Sequence, residues 1–117
     1  MAKVPDILYQ GQPGAVNTDL YTVPAAKKAT ITGILGANTD AATKYFSLHL
    51  VQNGDAVAND VALAMNQKLV GTGDAGGGGV WTFVWPIPMN TAGDKISGIQ
   101  ETATAITVTI VGFEEDA

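Results

Sequence analysis

Residues 105–113 read AITVTIVGF, and this stretch decides the fold class. Ile106, Val108 and Ile110 fall on one side of an extended chain, and Thr107 and Thr109 fall on the other. Successive side chains of a strand point to opposite faces, so the pattern predicts a strand with one covered face. Working outward, the same period of two recurs. Residues 29–37 (ATITGILGA) align Ala29, Ile31, Gly33, Leu35 and Ala37. Residues 44–52 (KYFSLHLVQ) align Phe46, Leu48 and Leu50, opposite Tyr45, Ser47, His49 and Val51. Residues 80–87 (VWTFVWPI) align Trp81, Phe83, Trp85 and Ile87. Shorter runs at 6–10, 19–23 and 94–99 read the same way.

Turn-forming residues separate these runs: GQPGAVNTD, NTDAAT, QNGDA, GTGDAGGGG, MNTAGD and QETAT. One segment fits two readings. In residues 55–71 (DAVANDVALAMNQKLVG), Val57, Val61, Met65 and Leu69 recur every four residues, with Asp55 and Gly71 placed as caps. That spacing fits a short helix near residues 56–70. Val61, Leu63 and Met65 fit a strand equally. The pattern as a whole predicts an all-β fold, a jelly-roll-like antiparallel β-sandwich of about eight short strands. Residues 13–117 are expected to form that single domain, preceded by an N-terminal arm over residues 1–12.

The chain has 117 residues, six lysines, no arginine, and a net charge of −5. Arginine is the preferred side chain for phosphate and base contacts, so its absence and the acidic balance argue against nucleic acid as partner. An anionic membrane surface would repel such a chain. No apolar run reaches spanning length and no leader pattern is visible, so manufacture and use without export is the expectation. Without cysteine, neither disulfides nor thiolate metal sites are available. Charged residues make up only 15%, so contact with another protein carries little charge desolvation.

Groups that could carry chemistry are few. His49 is the only histidine and, by alternation, lies on the more exposed side of its strand. The glycine run at 76–79 leads into a strand and lacks the Gly-Lys-Ser/Thr of a phosphate loop. Asp40, Asp55, Asp60 and Asp74 sit in turns without calcium-loop spacing. Trp81 and Trp85 pattern with Phe83 and Ile87, which points to a core or interface more than a sugar platform. Residues 113–117 (FEEDA) read as a solvated acidic tail or a docking arm for a basic partner. No catalytic residue, metal site or cofactor is expected, so the chain reads as non-enzymatic. Val4, Ile7, Leu8 and Tyr9 make the arm too apolar for an idle tail. With Gly76, Gly77, Gly78 and Gly79 they are the expected partner contacts.

Five stretches together carry a resemblance: LYTVP at 20–24, the run 28–38, the run 45–52, AGDKI at 92–96, and the run 106–114. In their order they resemble small all-β structural proteins of tailed bacteriophages, the capsid decoration (cement) proteins or tail-associated virion proteins. The resemblance covers most of the chain from about residue 20; residues 55–79 carry none of it. It implies a jelly-roll-like sandwich that self-associates, often as a trimer. Such a protein is made in the host cytoplasm and sits on the virion against the major capsid protein or another virion protein.

Overall fold

The computed structural model describes residues 5–54, 62–73, 79–102 and 104–117. Nine strands occur among them: β1 (Asp6–Gly11), β2 (Thr18–Thr22), β3 (Lys27–Asn38), β4 (Lys44–Val51), β5 (Ala62–Leu69), β6 (Val80–Phe83), β7 (Ile87–Met89), β8 (Lys95–Gln100) and β9 (Ile106–Asp116). There is no helix among the described residues.

The strands form two antiparallel sheets. The larger runs β1-β9-β3-β6, with β7 continuing the β6 edge along β3. The smaller runs β2-β8-β4-β5. Early strands therefore pair with late ones: β1 with β9, β2 with β8, β3 with β6 and β7, and β4 with β5. That nesting is the jelly roll, with its sixth strand broken in two, so nine strands stand where about eight were expected. The break lies at residues 84–86, where Pro86 supplies no backbone donor for the ladder.

The core lies between the sheets. Ile106, Val108 and Ile110 of β9 face Phe46 and Leu48 of β4, and all five are essentially inaccessible. Burying each such side chain stabilises by roughly 1.5–3 kcal/mol. Phe46 meets the ring of Trp81 edge-on at 5.6 Å and 75°, and Trp81 stacks on Phe83 at 6.1 Å. The space for Phe46 exists because position 36 is glycine; a Cβ there would sit 3.2 Å from the ring. Two buried amides lock the loops. Gln100 donates to the carbonyls of Pro13 (2.7 Å) and Ile106 (3.0 Å) and accepts from the Ile106 N–H (2.7 Å). Asn38 donates to Ala42 (3.0 Å) and Leu69 (2.9 Å).

Several expectations change. Residues 62–69 are strand β5, not helix; residues 56–61 lie outside the described residues. The four-residue spacing marks no shared face, because a bulge separates exposed Met65 from buried Leu69. Gln67 pairs with Phe46 and Ala64 with Leu48, so β5 spends one residue more than β4, and Asn66 takes the extra turn at φ 48°. In β3, a register shift between Ile31 and Gly33 reverses the faces. Ile34 turns into the core, and Leu35 turns out to solvent. Of the stretch read as an arm, Asp6–Gly11 is an edge strand of the larger sheet, paired along its length with β9. The acidic residues 114–116 are no tail: they close β9, where Glu114 accepts from the Tyr21 hydroxyl (2.5 Å) and Asp116 pairs with Lys27 (2.7 Å).

Candidate interaction surface

The outward face of the larger sheet follows from register. One row crosses it as Ile7, Val111 and Gly33; the next as Gln10, Thr109, Leu35 and Thr82; a third as Thr107, Ala37 and Val80. Phe113 sits opposite Thr30, and Lys28 opposite Glu115 at the end of the sheet. Ile7 is 57% exposed, Leu35 41% and Val80 58%. Beside Gly33, the bend at residues 84–86 carries Val84 and Trp85 into solvent, Trp85 at 74% exposure. Trp85 therefore departs from the core or interface pattern shared by Trp81, Phe83 and Ile87: the chain leaves the ladder after Phe83, and alternation no longer governs it.

The outward face of the smaller sheet differs. Ser47, His49, Val51 and Ser97 point away from the core by register, yet all are buried. Ser47 Oγ accepts from the Asn66 N–H at 2.9 Å, filling the β5 bulge. Ser97 donates to Asp19 at 2.8 Å, which together with Lys95 at 3.3 Å holds the Asp19 carboxyl below the usual carboxylate range. His49 was expected on an exposed side; it is 5% exposed, and its Nδ1 has no hydrogen-bond partner among the described residues. Burial pushes its pKa below the ordinary imidazole value. Burial and the Glu114 carboxylate raise the Tyr21 hydroxyl well above the ordinary phenol value.

The expected contact residues separate. Ile7 points outward, whereas Leu8 and Tyr9 pack against the core. A bulge between Ile7 and Tyr9 produces that division. Gly79 is a structural strut: its N–H donates to Val70 (2.7 Å), its carbonyl accepts from Asn38 (3.0 Å), and a Cβ would collide with the Val70 backbone. Val4, Gly76, Gly77 and Gly78 lie outside the described residues. Leu35 and Val80 were not singled out as contacts from the sequence; Val80 stands opposite Trp81 by plain alternation, whereas the exposure of Leu35 depends on a bulge that alternation does not reveal.

Two clefts among the described residues bear on ligand binding. One of about 190 Å³ is lined by Tyr45, Phe46, Asn66, Ile99 and Glu101 among others, and is small for a ligand. The other, of about 310 Å³, lies beside Asn53, Asn90, Thr91 and Asp94. There the Asp94 carboxylate already accepts from the Asn53 and Thr91 N–H groups (2.9 and 3.2 Å), so it serves the turn. No group of three or more histidine, aspartate or glutamate side chains converges on a metal position among the described residues. No family model matches the chain, and no curated protein matches it either.

Proposed function

We propose that this chain is a non-enzymatic structural protein of a virion, a capsid decoration protein that binds the assembled shell and stabilises it as an oligomer. The observation that carries the reading is the Thr-rich outward face of the larger sheet, whose two opposite charges cancel and whose apolar side chains stand exposed. Such a face loses little on desolvation, and many copies on one lattice would add modest contacts into strong binding. A protein that binds the shell but not free shell subunits stabilises the assembly by linkage. The resemblance in residues 20–24, 28–38, 45–52, 92–96 and 106–114 points to the same class.

The test is co-sedimentation of the purified chain with tailed-phage capsids stripped of accessory proteins, followed by capsid melting. Binding that raises the melting temperature with occupancy is expected. A chain left in the supernatant would refute the decoration role, and gold labelling confined to tails would move it to the tail or baseplate. Because β1 belongs to the sheet, an Ile7→Asp substitution tests the N-terminal contact better than deletion of the segment.

One observation favours a second reading, a small carbohydrate-binding adhesin module. Trp85 is solvent-exposed on a bend, as a sugar-stacking ring must be. Glycans that quench Trp85 fluorescence, with the effect lost in Trp85→Phe, would support it.

A further inference from the structure

The geometry points to a specific occupant for the outward face of the larger sheet: the same face of a second copy, packed sheet on sheet about a two-fold axis. This inference concerns the free chain in solution; where the same face meets a shell, as the proposed function has it, the pair must open first. Charge is the first argument. The chain carries −5, so two copies repel over most approaches. On this face the only charges among the described residues are Lys28 and Glu115, which oppose each other in register and cancel. Asp19, Asp40, Asp94, Glu101 and Glu114 lie elsewhere. A basic partner would be drawn to those acids, whereas a like-charged copy meets least repulsion here.

Size is the second argument. Taken over β1, β9, β3, β6 and β7, at about 4.8 Å between strands and about 3.4 Å per residue, the face comes to about 600 Å². A standard specific interface buries about 800 Å² per partner, so this face alone is close to sufficient.

The third argument is Gly33. Gly36 is needed by Phe46, and at Gly112 a Cβ would collide with the Thr30 carbonyl. Gly33 has neither constraint. Its φ lies outside the left-handed range, and a Cβ there would meet nothing nearer than the Phe83 carbonyl at 3.7 Å. The fold does not require a glycine at this position. It leaves a notch in the row between Val111 and the exposed bend, beside the projecting Leu35. A projection beside a notch is self-complementary, and face-to-face contact of identical surfaces is isologous and therefore two-fold.

Sedimentation velocity over a concentration series tests this, with circular dichroism and melting as the check on folding. The wild-type chain should run as a concentration-dependent monomer–dimer equilibrium. Leu35→Asp, which sets like charges against each other, and Gly33→Leu, which fills the notch, should each weaken the dimer by about a hundredfold or more while remaining folded. Thr22→Asp, on the smaller sheet, should leave it unchanged. A monomer at every concentration, a trimer, a dimer untouched by both face variants, or one lost equally in Thr22→Asp would each overturn the pairing. If Leu35→Asp fails to fold, Gly33→Leu decides. Failure to bind capsids would refute the decoration role and leave this pairing intact; a capsid-binding trimer would do the reverse.

Discussion

The two outward faces of the sandwich are built from the same alternation and end in opposite states. On the larger sheet, Thr107, Thr109, Leu35 and Val80 stay at least partly open to solvent. On the smaller sheet, Ser47, His49, Val51 and Ser97 occupy the corresponding outward positions and are shut away. Polarity does not follow accessibility here: the closed face buries two hydroxyls and an imidazole, while the open one exposes leucine, isoleucine and valine. Buried polar groups need partners, and two of the three have them in Asn66 and Asp19. An open apolar face reduces no such debt and is suited to association.

The strongest way to break this contrast is to put the same charge on both faces. Ser97→Asp would press a second carboxylate against Asp19 in a closed site and should cost about 3 kcal/mol or more in urea unfolding. An unchanged midpoint would show that the smaller sheet's face is open after all. The next effect is pH dependence from His49. Unfolded His49 takes up its proton near pH 6.5; folded His49, held down by burial, does so only at lower pH. Stability from this site is complete above pH 6.5 and falls as pH drops from there toward the lowered folded value. The Asp19 carboxyl titrates below this window. Urea midpoints at pH 7.5 and 5.5 should therefore differ in the wild type and converge in His49→Gln. A third test is the mate of the first: Thr109→Asp, on the open face, should change monomer stability by no more than about 0.5 kcal/mol. A cost comparable to that at Ser97 would erase the distinction. Smallest is Lys27→Met. Its ion pair with Asp116 is solvent-exposed, and removing it should not measurably move the midpoint.

Most strands were legible because a period of two survives wherever the ladder is regular. The runs at 29–37, 44–52 and 105–113 all became strands, and residues 80–87 became two. What alternation could not show is where it slips. One extra residue near Thr32 sends Leu35 outward, and one near Asn66 leaves Met65 exposed while Leu69 stays in the core. Both bulges are properties of pairing between distant segments, which a local pattern does not contain. His49 illustrates a different gap: its direction was legible and its burial was not, because burial depends on what lies over the sheet. The closing acids looked like a tail because their partners, Tyr21 and Lys27, stand some ninety positions away in sequence. Of the candidate surface, Ile7 was readable from its own strand, whereas Gly33 was named only as part of an apolar alternation.

Strand β9 has a consequence for how the molecule is made. It is the only described strand that joins β1 to β3. During vectorial synthesis β1 has no ladder partner, and β3 has only β6 and β7, until residues 106–116 have cleared the ribosome. Agents that delay translation of residues 106–116 should leave a nascent species prone to aggregation, whatever the stability of the finished sandwich.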